Sequence, residues 1–175
     1  MSSAHRADIR SVPQEGEGAL DFETFFAAEY GGLFSALCLV TRNRHEAEEI
    51  MQDAFVAIWE RWDRVGGMAD PTGYLYRTAM NVFRKRYRRV KVALRRAVRL
   101  IPPDDDLALV ESREDVILLL APLTPAQRAA IVLTNLLDYS SEDAAHLLGL
   151  QPGTVRALAS RGRAELRKVA GDNHG

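Results

Sequence analysis

The chain has little of what a secreted, disulfide-linked or membrane-spanning protein needs. Its single cysteine, Cys38, excludes an internal disulfide and fits a reducing compartment. No run approaches the roughly 20 apolar residues of a membrane helix. The first residues also lack the basic-then-apolar order of a signal peptide. We therefore expect a cytoplasmic protein without membrane insertion.

Signatures of catalysis and metal binding are missing as well. The four histidines are scattered, and no histidine–cysteine pair has the spacing of metal ligands. Neither a glycine–lysine phosphate loop nor a Gly-x-Ser-x-Gly motif is present. We therefore predict no metal, no cofactor and no catalytic residue, and no sequence motif indicates an enzyme.

Charge of both signs is present, but in separate places. The net charge is only −1, yet the segment from Tyr74 to Ile101 holds ten lysines and arginines and no acidic residue. About twenty residues earlier, Glu46, Glu48, Glu49 and Asp53 form an acidic segment. Such a pairing suggests two macromolecular partners of opposite charge.

The sequence pattern is helical nearly throughout, without a run of alternating β-branched residues. The main interruption is Pro102-Pro103 followed by three aspartates, which is typical of a linker. We predict an all-α protein of two small helical domains joined by a flexible linker. The expected division is a disordered arm at 1–20, a first domain at 21–96, a linker at 97–112 and a second domain at 113–170.

The acidic segment lies on a predicted amphipathic helix. Its apolar residues recur at helical spacing and form one buried stripe: Ala47, Ile50, Met51, Ala54, Phe55, Ile58 and Trp62. Glu46, Glu49, Asp53 and Glu60 share a face beside that stripe, with Gln52 near it. A protein-docking surface and an ordinary solvated face, with acids favoured near the helix N-terminus, both fit this pattern.

The basic segment lies on the next predicted helix, which begins with Asp70 as N-cap and Pro71 in the first turn. Arg77, Asn81, Arg84 and Arg88 line one stripe, with Lys85 next to it. Ten like charges repel one another unless an anion offsets them, and DNA phosphate is such an anion. A soluble basic face or an RNA-binding tail is the alternative.

Between these two helices, Gly66-Gly67 permits unusual backbone angles and close approach to a partner, or serves as a plain connector.

The C-terminal half shows a helix-turn-helix pattern. Capping boxes at Thr124–Gln127 and Ser140–Asp143 begin two helices, and Gly149 ends the second of them. Leu150 is expected to fill the core before Pro152-Gly153-Thr154 begins the last helix. That helix presents Arg156, Ser160, Arg161 and Arg163 outward, as entry into a DNA major groove requires. An ordinary helical hairpin is the alternative.

In this order, these segments resemble the extracytoplasmic-function sigma factors of bacterial RNA polymerase. The string from Glu46 to Phe55 is similar to the polymerase-binding helix of that family, and Tyr74–Asn81 to its promoter-opening, −10-recognition helix. Leu123–Arg128, Ser140–Leu150 and Thr154–Arg156 are similar to its −35-binding domain. Met80 stands where the family often has a basic residue.

The resemblance implies three sets of binding residues and no catalytic ones. Core RNA polymerase would be bound by Glu46, Glu49, Gln52 and Asp53. The −10 region of promoter DNA would be bound and melted by Arg77, Asn81, Arg84, Lys85 and Arg88. The −35 element would be bound by Thr154, Arg156, Ser160, Arg161 and Arg163.

The resemblance also makes an anti-sigma factor an expected partner. Two other functions stay open on the residues alone: a free-standing helix-turn-helix regulator that never needs polymerase, and an RNA-processing or nuclease enzyme that uses the basic helix.

Overall fold

The computed structural model describes residues 20–96 and 114–172, and all regular structure in these ranges is helical. The first group of helices is α1 (Phe22–Thr41), α2 (Arg44–Trp59), α3 (Trp62–Val65) and α4 (Pro71–Arg96). The second group is α5 (Glu114–Leu119), α6 (Pro125–Ile131), a π-helical turn (Val132–Leu136), α7 (Ser141–Leu148) and α8 (Pro152–Asp172). The predicted arm and linker fall almost wholly outside the described residues.

The buried apolar residues of the two groups form one continuous core. In the first group α2 packs against both α1 and α4, and in the second α8 packs against both α6 and α7. The arrangement of α7 and α8 around a tight turn is a helix-turn-helix. The prediction of an all-α fold with a C-terminal helix-turn-helix is thereby confirmed.

The predicted helix starts are confirmed by their capping hydrogen bonds. The backbone N–H of Gly73 donates to Asp70 Oδ1 at 2.8 Å, which begins α4. Thr124 and Gln127 form the reciprocal capping box of α6. The Ser140 hydroxyl accepts from the Asp143 N–H at 3.0 Å, which begins α7. These caps are local in sequence, so the sequence pattern could specify them.

The end of α7 follows the prediction for Gly149 but not for Leu150. Gly149 has a φ of 60°, in the left-handed region that favours glycine. The Leu150 N–H donates to the Ala145 carbonyl at 2.9 Å, which closes a Schellman motif. Leu150 is exposed rather than buried in the core, because it lies outside the helix, beside Phe83 and Tyr87 of α4.

For residues 60–67, the placement of Trp62 is wrong, and one of the alternatives for Gly66 does not hold. Trp62 belongs to α3 and not to the stripe of α2, because α2 ends at Trp59. The Trp62 ring packs instead on α1, with centroids 5.3 Å from Phe22 and 5.0 Å from Phe25. Gly66 has an ordinary helical φ of −61°, so unusual backbone angles do not explain it. A Cβ at Gly66 would lie 3.0 Å from the Trp62 ring, which makes close ring packing its physical role.

Helix α1 is the one described helix long and apolar enough, by length and composition, to cross a membrane. No segment of this length and apolar composition was expected from the sequence. Its C-terminal half, from Leu33 to Val40, is largely buried against α2 and α6, as in the core helix of a folded protein. Core packing therefore accounts for the apolar run.

The two groups of helices contact each other. Helix α4 packs against α7, and α1 packs against α5, α6 and the π-helical turn. The buried Arg128 of α6 donates through Nε to the Val40 carbonyl at 2.7 Å, and through Nη1 to the Leu123 carbonyl at 2.6 Å. Tyr76 and Tyr139 meet across the same boundary, with ring centroids 6.3 Å apart.

Candidate protein and nucleic-acid interfaces

The predicted polymerase-binding residues of α2 form one surface, which we call the acidic face: Glu46, Glu49, Gln52 and Asp53. Asn43 begins the helix by accepting the Glu46 N–H at 2.8 Å, and burial of Ala47, Ile50 and Ala54 turns the acidic face away from the core. Gln52 and Asp53 are exposed, whereas Glu46 and Glu49 are half-buried. Burial raises the pKa of Glu46, an effect that nearby Arg86 partly offsets.

The acidic face has ion-pair partners within the protein. Arg86 of α4 donates through Nη1 to Glu49 Oε2, and through Nη2 to Asp53 Oδ2 at 2.8 Å. His45 lies 3.5 Å from Glu49 Oε1. The hydrogen bonds that Arg86 donates to Asp53 and Glu49 raise the pKa of Arg86, so the cation is retained.

Arg86 is a residue that the sequence analysis missed as a distinct member of the site. A signal for it existed, since Arg86 follows Ala79 by seven residues and Phe83 by three. These positions continue the buried stripe of α4, which faces α2. The spacing therefore predicts that Arg86 points at the neighbouring helix.

Beside the acidic face lies an exposed apolar strip that the sequence analysis also missed. Val56 and Trp59 of α2 are 55% and 63% exposed. Phe26 and Tyr30 of α1 are exposed too, and Phe26 packs on Phe55 with ring centroids 4.6 Å apart. Large exposed apolar side chains that cluster on neighbouring helices are typical of protein interaction surfaces.

The predicted −10 residues lie on α4 and form what we call the basic face: Arg77, Asn81, Arg84, Lys85 and Arg88. All are exposed except Arg84, which is half-buried against the second group of helices. A Cβ on Gly149 would lie 2.2 Å from Arg84 Nη1, so the guanidinium sits directly on the turn of the helix-turn-helix. Met80 is buried in the core, and this explains why it is not basic.

Arg77 lines a cleft of about 410 Å³ between the two groups of helices. Tyr139, Asp143 and His146 line the opposite wall. The basic face is therefore partly covered by the helix-turn-helix in this arrangement, although most of its cations stay open to solvent.

The predicted −35 residues of α8 are all exposed, and we call them the recognition face: Thr154, Arg156, Ser160, Arg161 and Arg163. Val155 and Ala159 are buried on the opposite side of α8, so the helix presents this face outward. Arg156 Nη1 donates to Glu142 Oε1 of α7 at 3.1 Å. An exposed arginine-bearing second helix is suited to entering a major groove.

Comparisons with known proteins match both halves of the chain. Residues 25–92 match Sigma-70 region 2, and residues 113–166 match Sigma-70 region 4. The chain belongs to the extracytoplasmic-function sigma factors. It is a sigma factor for promoter recognition in transcription initiation, and the match to region 2 as well as region 4 disfavours a free-standing regulator.

Individual relatives agree. The chain is 29% identical over 151 residues to the extracytoplasmic-function sigma factor SigM of Mycobacterium tuberculosis, covering 86% of this chain and 77% of that protein. It is 26% identical over 151 residues to the sigma-E factor of Streptomyces avermitilis, covering 85% and 84%.

Solved structures share the fold. The sigma factor RpoE of Bartonella quintana, solved in complex with the anti-sigma factor NepR, aligns with a TM-score of 0.66 at 23% identity, covering 86% of this chain and 96% of that one. CnrH, solved with the cytosolic domain of CnrY, aligns with a TM-score of 0.59 at 24% identity, covering 86% and 88%.

Proposed function

We propose that this sigma factor binds core RNA polymerase through the acidic face, holds the opened −10 region on the basic face and reads the −35 element with the recognition face. The observation that carries the proposal is the presence of surfaces of opposite charge on adjacent helices of one domain, α2 and α4. One surface suits a basic protein and the other suits DNA phosphate.

The docking surface for polymerase extends beyond the charged residues in this proposal. The apolar strip of Phe26, Tyr30, Val56 and Trp59 adjoins the acidic face and gains from burial against a partner. Aromatic side chains carry much of the binding free energy at protein interfaces. Charges would then guide association, whereas the strip would slow dissociation.

Promoter opening in this proposal uses binding free energy alone. The basic face neutralises phosphates of the displaced strand, and the exposed end of the α3–α4 loop lies where an unstacked base could be held. The recognition face contacts the upstream duplex and fixes the position of the protein on the promoter. We assign no hydrolysis, cofactor or catalytic residue to the chain, and we place its activity in the cytoplasm.

An anti-sigma factor is the third proposed partner. Two of the structural neighbours were solved in complex with other chains, NepR and the cytosolic domain of CnrY. The cleft between the two groups of helices, beside Arg77, offers a partner access to both DNA-binding regions at once.

Run-off transcription with core polymerase and the purified chain tests the proposal. We expect the wild-type chain to bind core polymerase and to initiate at a promoter that core alone ignores. Glu49→Lys should weaken core binding roughly tenfold or more, because it replaces attraction by repulsion in a docking surface. Asp63→Lys, an equal charge change on the exposed side of α3, is the matched control.

Circular dichroism of both variants shows whether the fold is kept. Failure of the wild-type chain to bind core polymerase would end the proposal. Equal weakening by the two variants would assign the effect to net charge rather than to the acidic face.

A further inference from the structure

Arg86 differs from the other cations of α4 whose side chains are described. Arg77, Lys85, Arg88 and Arg89 are exposed and Arg84 is half-buried, and none of them forms an ion pair with a carboxylate of the described residues. Arg86 is 29% exposed and bridges Glu49 and Asp53 of α2. One cation of α4, which carries the basic face, thus forms ion pairs with α2, which carries the acidic face.

The bridge uses two different nitrogens of one guanidinium. Nη1 holds Glu49 and Nη2 holds Asp53, so the planar fork sets the separation of the two carboxylates as well as their charge balance. Glu49 and Asp53 are four residues apart on one helix, where like charges repel. Arg86 relieves that repulsion and restricts both side chains to one geometry.

The bridge leaves both carboxylates accessible. Arg86 takes one oxygen of each, Oε2 of Glu49 and Oδ2 of Asp53, and these side chains stay 44% and 55% exposed. Oδ1 of Asp53 has no hydrogen bond within the described part of the chain, and Oε1 of Glu49 has only the longer approach of His45. Each acid therefore keeps an oxygen with which it can accept from a basic partner.

We propose that Arg86 is a positioning residue of the polymerase-docking surface, which pre-orients Glu49 and Asp53 for basic groups of core polymerase. The proposal rests on the proposed function of the acidic face. Side chains that are already ordered lose less conformational entropy when a partner binds. Arg86 would thus strengthen docking, although its positive charge alone would weaken the attraction of a basic partner.

These two effects of Arg86 have opposite signs in an experiment. Removal of a positioning residue weakens core binding, whereas removal of a competitor for the same carboxylates strengthens it. The affinity of Arg86→Ala for core polymerase therefore decides between them. Arg89→Ala is the matched control, since it removes the same charge from an exposed position three residues further along α4.

We expect Arg86→Ala to weaken core binding about tenfold, within the range of coupling between contacting charged groups. Arg89→Ala should leave core binding within about twofold of wild type. Arg86→Lys should restore only part of the loss, because one ammonium cannot reproduce the planar two-nitrogen fork.

A double-mutant cycle separates positioning from general support of the fold. In a Glu49→Gln, Asp53→Asn background, measured at low ionic strength, Arg86→Ala should produce no further loss of core affinity. An equal loss in both backgrounds would show that Arg86 acts through contacts other than those with the two carboxylates, and tighter binding of Arg86→Ala would show competition. Either result overturns the proposal while wild-type binding still supports the proposed function.

Discussion

At the scale of single residues, Glu46 places a carboxylate where the protein partly excludes water. Burial raises its pKa above the ordinary value of 4.5, and Glu49 adds to the rise, while Arg86 and Arg128 oppose it. The folded protein therefore binds a proton at this site more tightly than the unfolded chain does. Stability gained in that way is fully present below pH 4.5 and is lost as the pH rises through the folded pKa.

Glu46→Gln should consequently raise the melting temperature at pH 7 by a modest amount, at most a few degrees, because it removes a charge that folding disfavours. The same substitution should weaken core binding, since it removes a member of the acidic face. Thermal unfolding followed by circular dichroism at pH 7 and pH 4 measures the first effect, which should vanish at pH 4. Glu60→Gln, at the exposed end of α2, is the control. A lower melting temperature at pH 7 would contradict the burial argument.

At the scale of elements, the turn between α7 and α8 depends on Gly149. Its φ of 60° strains any residue with a side chain, and an added Cβ would meet the Arg84 guanidinium at 2.2 Å. Gly153, on the first turn of α8, has no atom within 4 Å of its Cβ position and no positive φ. Replacement by alanine should therefore destabilise the protein at Gly149 but not at Gly153.

Gly149→Ala should lower the free energy of unfolding by about 1–2 kcal/mol, from backbone strain and displacement of Arg84. Gly153→Ala should leave it unchanged or raise it slightly, because alanine favours the helix. Urea unfolding of the two variants and the wild type measures the difference. Adding Arg84→Ala should recover the steric part of the Gly149→Ala loss but not the strain. Equal effects of the two alanines would show that the turn does not require a left-handed residue.

At this scale the sequence could predict the features that depend on residues close together along the chain. The caps at Thr124 and Ser140 and the left-handed stop at Gly149 each involve residues a few positions apart, and the structure contains all of them. Apolar periodicity likewise predicted the buried side of α2 from Ala47 to Ile58. The π-helical turn after α6 carries no such local signal and was not predicted.

Contacts between distant residues could not be assigned in the same way. Arg86 reaches Glu49 and Asp53 across 37 and 33 residues, and periodicity shows only that it faces inward, not which partner it meets. Trp62 was assigned to the stripe of α2 because it follows Ile58 by four residues, whereas its packing on Phe22 and Phe25 sets its actual place. Packing of α4 on α7 depends on the shapes of two folded surfaces, which sequence spacing does not contain.

At the scale of the whole molecule, Arg128 joins the two groups of helices. It is buried, and its Nε donates to Val40, one of the last carbonyls of α1. A cation at a helix C-terminus interacts favourably with the helix dipole, and here it comes from the other domain. Burial, reinforced by Arg42, lowers the pKa of Arg128 to about 10, so the side chain still carries its charge at neutral pH.

The closed arrangement conflicts with the geometry of a promoter. Helix α7 packs against both α4 and α8, which places the basic and recognition faces within about two helix-packing distances, roughly 20 Å. The −10 and −35 elements are roughly 25 base pairs apart, or on the order of 80 Å at 3.4 Å per base pair. Binding to both elements therefore requires the two domains to separate.

Förster transfer between labels at Asp63→Cys and Arg167→Cys measures this separation. Cys38 is buried, and burial raises its pKa to about 11. Thiol-reactive labels should therefore react with the two introduced cysteines and not with Cys38. We expect efficient transfer in the free protein and a large fall on assembly with core polymerase and promoter DNA. Arg128→Met should lower transfer in the free protein, because the loss of a buried hydrogen bond, about 1–3 kcal/mol, shifts the equilibrium toward the open form. Arg161→Met, on the exposed side of α8, should not. Unchanged transfer in the full promoter complex would show that the domains do not separate and that one of the two DNA-binding faces is wrongly assigned.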